Sequence, residues 1–113
     1  MTQLNLFNEI ISTYRKHGWQ LRRVLASPEM LTELTELIRA NDEAPTVEEA
    51  AVSAMWFSRP SHQGREAWEL RLLAESSYAL FETFEADEVE EDREELRREM
   101  EARMRDHVLG RAE

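Results

Sequence analysis

The chain has 113 residues, no cysteine, and 24 acidic against 14 basic residues, for a formal net charge of −10. That length suits a single domain over residues 1–113, with a core large enough to fold without covalent staples. The lack of cysteine excludes a disulfide framework and thiol chemistry and fits a reducing, cytoplasmic compartment, while three glycines and three prolines exclude a collagenous or linker-rich chain.

The charge is unevenly spread. Residues 1–74 carry ten acids and eight bases, whereas residues 75–113 carry fourteen acids and six bases. Such a chain repels nucleic acid and anionic lipid, so neither is expected as a partner. No apolar run approaches the roughly 18 residues of a transmembrane helix. The opening Met1-Thr2-Gln3-Leu4-Asn5 lacks the basic-then-apolar order of a signal peptide. Lys16 is the one lysine among the basic residues, which reads as a composition bias and not as a recognition device.

In chain order, Leu4, Phe7, Ile10, Ile11 and Tyr14 recur at helical spacing and predict an amphipathic helix over 3–17. Lys16 and His17 suit its last turn, and Gly18 suits the left-handed position beyond it. Residues 19–26 read as a strand, with Trp19, Leu21 and Leu25 on one side and Arg22, Val24 and Ala26 on the other. Ser27-Pro28-Glu29 announces a second helix over 28–40, with Met30, Leu31, Leu34, Leu37 and Ile38 as its apolar face. A loop is expected over 41–46. Thr46 and Glu49 have the spacing of a capping box, which predicts a short helical turn there; the pattern leaves 47–55 open between helix and strand.

Three strands in a row follow, over 54–59, 67–74 and 78–84. They are separated by the turn clusters Pro60-Ser61-His62-Gln63-Gly64 and Ser76-Ser77. A two-residue turn at Ser76-Ser77 sets Leu72 opposite Phe81 and Arg71 opposite Glu82, an opposite-charge pair. One face is then Trp68, Leu70, Leu72, Ala74, Ala79, Phe81 and Thr83. The other holds Leu73, Tyr78, Leu80 and Phe84 around Arg71 and Glu82, and is too apolar to be left wet. Asp87 and Glu90 form a second capping box ahead of a long charged helix closed by Gly110. That helix carries Glu94–Arg98, Glu99–Arg103 and Glu101–Arg105 pairs and a thin stripe of Val89, Leu96, Met100, Met104 and Val108. The expected fold is therefore α+β in the order α-β-α-β-β-β-α. It has a mostly antiparallel sheet of three to four strands, a β-meander over 54–84, packed against helices.

Chemistry is sparse. The chain has no GxGxxG, no Walker-type phosphate loop, no HExxH and no zinc-like Cys/His spacing, so no cofactor or metal is expected. His17 and His107 fall near helix C-termini, where partial positive charge is favourable. Arg59, His62 and Arg65 in the first hairpin, with Arg71, form a candidate anion cluster, because arginine forks match carboxylate or phosphate; the competing reading is a polar loop. Ser61-His62 has no third, orienting group and is not a nucleophile–base pair. Trp19, Trp56 and Trp68 suit the core better than a ligand stack. The acidic run over 85–95 is a solvated helix start without the glycine turn of a calcium loop.

The function expected from these features is that of a small acidic interaction module, not an enzyme. It would bury Leu73, Tyr78, Leu80 and Phe84, or the stripe of the last helix, against another protein, most simply a second copy in a homodimer. A small-anion binder or enzyme using Arg59, His62, Arg65 and Arg71 is the alternative. A small acidic chaperone is a third reading.

Overall fold

A computed structural model describes residues 3–40 and 45–110. Three helices and a five-stranded mixed sheet follow the order α1 (Gln3–Lys16), β1 (Gln20–Ala26), α2 (Leu31–Arg39), β2 (Thr46–Glu49), β3 (Ala54–Pro60), a 3-10 turn (His62–Gly64), β4 (Glu66–Leu72), β5 (Ala79–Phe84) and α3 (Glu90–Val108). The α+β class, the meander and the long C-terminal helix are as expected. The strands lie side by side as β2-β1-β3-β4-β5, with β1 and β2 parallel and every other pair antiparallel. Among the described residues no helix is long and apolar enough to cross a membrane.

The sheet separates two apolar layers. On one face, Phe7, Ile10 and Ile11 of α1 and Leu34 and Ile38 of α2 pack with Leu21, Val24, Met55 and Phe57. On the other, Met100 and Met104 of α3 pack with Leu25, Trp56, Trp68, Leu70 and Phe84. Both faces of the central strand are thus covered, and Ala54, Met55, Trp56 and Phe57 are all fully buried. A strand buried on both sides reads as a continuous apolar run, as this one does. Gly18 and Gly110, each just past a helix, take positive φ of 86° and 72° and turn the chain where a side chain would be strained.

Four local expectations are corrected. In β1, Leu21 pairs with Phe57 and Arg23 with Trp56, so Arg22 is an extra, bulged residue. The bulge reverses the alternation beyond it. Leu21, Val24 and Ala26 share the α1–α2 layer, while Leu25 joins the α3 layer. The second helix starts at Leu31, preceded by Met30 without a side-chain cap; the Ser27 hydroxyl is instead engaged by the Ser53 hydroxyl. The Thr46–Glu49 segment is a strand and not a capped turn, because β1 offers a free edge and Val47 an apolar side chain to pack on the core. Of the loop expected over 41–46, residues 41–44 lie outside the described residues. At α3 the capping box is absent: Val89 precedes the helix without a side-chain cap, and the Glu88 carboxylate accepts from the Glu85 amide at 2.6 Å.

A further correction concerns the meander. Arg71 pairs with Ala79, Leu70 with Leu80 and Trp68 with Glu82. The register differs from the expected one by three residues, an odd number, so β5 is turned over. The cause is the connection. The Leu73 amide donates to Ser53 O at 3.0 Å and its side chain is buried with the α1–α2 layer. Leu73 therefore leaves the hairpin, and the link to β5 is longer than a two-residue turn. Leu80 and Phe84 consequently face α3 with Trp68, while Ala79, Phe81 and Thr83 face the α1 side. Arg71 and Glu82 lie on opposite faces and form no ion pair.

Layer α3 is held by more than its thin stripe. Val89 and Val108 are exposed, whereas Arg97 is buried at 2% exposure. Its guanidinium lies 4.3 Å from the Trp68 ring centre and ion-pairs with Glu90 and Glu94. Arg23 of β1 reaches Glu94 at 3.0 Å and Glu101 at 3.2 Å, and Arg98 reaches Glu48 of β2 at 2.9 Å. Of the three expected helix pairs, Glu94–Arg98 forms at 2.7 Å. Glu101 turns inward instead to accept from Trp56 Nε1 at 2.7 Å, and Arg105 pairs with Asp106.

This network makes α3 docking acid-sensitive. The hydrogen bond from Arg98 holds the Glu48 carboxyl below the ordinary glutamate value of 4.5, against an opposing effect of burial. Burial pushes Glu94 upward, but its hydrogen bond and charge attraction to Arg23, with help from Arg97 and Arg98, leave it lowered as well. A depressed folded-state pKa contributes stability above the unfolded value and loses it as pH falls through the folded one. The urea midpoint of the wild-type chain is therefore expected to exceed that of Glu48→Gln at neutral pH, and the gap to close once pH drops below the folded value. A gap unchanged by acid would show that the Arg98–Glu48 pair contributes no pH-dependent stability.

Candidate functional site

The expected anion cluster is dispersed by the fold. Arg59 reaches back to α1, donates to His17 O and lies 4.5 Å from the Trp19 ring centre. Arg65 ion-pairs with Glu85 at 2.9 Å, and His62 is exposed in the 3-10 turn. Arg71 stands near the far end of β4, about 20 Å along the strand from Arg65 at ~3.3 Å per residue. The three arginine side chains serve different neighbours: His17 O, Glu85 and Leu72 O. Among the described residues no group of three or more His, Asp or Glu is arranged to hold a metal ion.

The four residues expected to form an uncovered face are also divided. Leu73 lies in the α1–α2 layer. Phe84 is fully buried under α3, with Tyr78 and Leu80 packed at the margin of the same layer. Tyr78 is stacked on His107 of α3, ring centres 3.7 Å apart and planes 4° from parallel. Tyr78, Leu80 and Phe84 are thus covered by the last helix of the same chain, together with Trp68, Leu70 and Leu72.

What remains open is the outer end of the sheet. Among the described residues strand β5 has no neighbour beyond it. The Leu72 amide donates to Tyr78 O at 3.0 Å, and hydrogen-bonded pairs recur every second residue in an antiparallel ladder. Tyr78, Leu80, Glu82 and Phe84 therefore turn their backbone groups toward β4, and Ala79, Phe81 and Thr83 turn theirs outward. These three also carry the side chains on the α1 face, where Phe81 is 57% exposed. The ring of Phe81 meets Trp19 edge to face at 6.3 Å.

Beside this strip, between α1 and the sheet, lies a cleft of about 420 Å³. Leu6 and Ile10 of α1 supply apolar wall, Tyr14 and Trp19 aromatic wall, and Arg71 and Ser77 close the sheet side. Tyr14 is stacked on Phe57 at 4.1 Å and its hydroxyl donates to Glu69 Oε2. Burial, then the hydrogen bond and charge of Glu69, push the Tyr14 hydroxyl well above its usual range, so it stays protonated as a donor. Tyr14 reads in the sequence as one more apolar helix position. Its polar role needs the pairing of β4 with β3, which brings Glu69 opposite Phe57. Phe81 was hidden by the register, since a two-residue turn assigns it to the core.

The class these features define is a two-faced α+β domain, a mixed sheet between two helical layers, with a free β5 edge and a small cleft beside it. The chain matches no protein-family model, no curated protein and no solved structure.

Proposed function

We propose that this chain is a self-associating interaction module whose contact surface is the free edge of β5. The observation that carries the reading is the outward backbone of Ala79, Phe81 and Thr83 together with the exposed ring of Phe81. A free strand edge is a template for another extended strand. The two edges of this sheet differ. The β2 edge is four residues long and carries Glu48 and Glu49, the charged, short kind that resists pairing. The β5 edge has six residues and a single charge, Glu82, which points to the α3 face.

The strand is complementary to itself. A two-fold axis through Phe81 sets this residue opposite Phe81 of the second copy and Ala79 opposite Thr83. The outward N–H and C=O groups of all three residues then find partners. Glu82 falls opposite Leu80, so no like charges meet. The two Phe81 rings come side by side over the shared face and lose their exposed area. Such a closed, isologous contact is the common form of homodimer.

The test is light scattering on the wild type, Phe81→Lys and Thr83→Pro. Proline removes an N–H that the monomer leaves unpaired, so it is tolerated at an edge but blocks strand addition. A wild-type dimer and two folded monomeric variants are the expected result. A strictly monomeric wild type, or a dimer indifferent to Thr83→Pro, would overturn the reading.

A further inference from the structure

We infer that the cleft between α1 and β4 binds a small monocarboxylate with an apolar or aromatic body, held by Arg71. The inference is independent of the β5 contact. It starts from a comparison among the arginines. Arg23, Arg65, Arg93 and Arg97 are each at least half-buried, and each meets a carboxylate within salt-bridge distance. Arg71 is half-buried as well, yet among the described residues no carboxylate reaches it. Its Nη1 donates to Leu72 O, and its remaining guanidinium nitrogens are not sealed in the interior. In a chain with 24 acids, a half-buried arginine without one is a donor set left for something else.

The nearest candidate is withheld from it by the fold. Glu69 stands two residues away on the same face of β4, but its carboxylate accepts the hydroxyl of Tyr14. Burial and the bond itself keep that hydroxyl protonated, so the pair persists across the physiological range. Tyr14 thus draws Oε2 of Glu69 to α1, and Nε and Nη2 of Arg71, at the cleft wall, meet no carboxylate of the described residues.

The walls state the rest of the ligand. Leu6, Ile10 and the Trp19 ring are apolar, and the 420 Å³ volume falls at the small end of ligand sites. Arginine recognises a carboxylate through two parallel N–H donors. Glu9 on the α1 wall adds negative charge, which with Glu69 disfavours a dianion such as phosphate and leaves a single negative charge as the better match. Ser77 and Thr13 offer hydroxyls at the polar end.

The experiment uses calorimetric titration of the full chain with phenylpropionate, with its neutral primary amide, and with inorganic phosphate. Phenylpropionate is expected to bind at least ~10-fold more tightly than the amide or phosphate, the range of one charge-assisted hydrogen-bonded pair. Arg71→Met keeps the apolar stem and removes the fork; it is expected to abolish the preference for acid over amide while leaving the circular dichroism unchanged. Equal binding of acid and amide by the wild type, no heat with phenylpropionate at millimolar concentration, or an acid preference that survives in Arg71→Met would each overturn the inference. The acid–amide comparison on the wild type stands even if the variant folds poorly. Thr83→Pro, which addresses the β5 contact and lies outside the cleft lining, is expected to leave the acid–amide preference in place.

Discussion

Trp56→Ala is expected to destabilise the domain by about 3–5 kcal/mol, the usual cost of deleting a fully buried tryptophan. Typical domain stabilities are about 5–15 kcal/mol, so the variant should be largely unfolded under mild denaturant. Trp56 is fully buried at the centre of β3. It meets Trp68 edge to face at 5.9 Å and donates to Glu101 at 2.7 Å, so it joins the sheet, the aromatic layer and α3 at one point. Trp56→Phe keeps most of the volume and loses the donor. Because Glu101 still pairs with Arg23 and Arg98, that variant is expected to cost only about 1–2 kcal/mol. Urea unfolding of the three proteins measures both. A Trp56→Ala chain as stable as the wild type would mean that α3 does not pack on this face.

The second large effect is at Arg97. Its side chain fills the space between Trp68 and Phe84 on one side and Glu90 and Glu94 on the other. Arg97→Ala removes the stem, the cation over the ring and both ion pairs, and is expected to cost about 3 kcal/mol. Arg97→Met restores most of the volume without the charge. Glu90 is largely exposed and Glu94 retains Arg23 and Arg98, so neither carboxylate is left buried and alone. Arg97→Met is therefore expected to cost about 1 kcal/mol or less, in line with apolar replacement of buried ion pairs. Equal losses in the two variants would show that charge and not packing dominates at this position.

These two residues mark where the sequence is legible. Trp56 sits in a continuous apolar run, and its burial can be read from that run. Arg97 lies among alternating charges, and nothing in the pattern separates it from Arg98 or Arg103. Only the position of Trp68 and Phe84 on the facing strands buries Arg97, while Arg98 stays half-exposed among Glu48, Glu94 and Glu101 and Arg103 is exposed. The cleft behaves likewise. Arg71 is far along the chain from Tyr14 and Trp19, and Arg59 and Arg65, neighbours along the first hairpin, send their side chains apart to His17 and Glu85.

Hydrophobic periodicity and turn chemistry were enough to determine the α+β class, the extents of α1 and α3 to within one or two residues, the three meander strands and the left-handed glycine after α1, because these are local properties of the chain. Tertiary structure alone decided the parallel β2 strand, the bulge at Arg22, the register of β5 and hence which aromatic is buried and which is exposed. Each depends on a backbone bond to a residue far away, such as Leu73 to Ser53. A shift of one or three residues in a strand leaves the local pattern almost unchanged while exchanging its two faces.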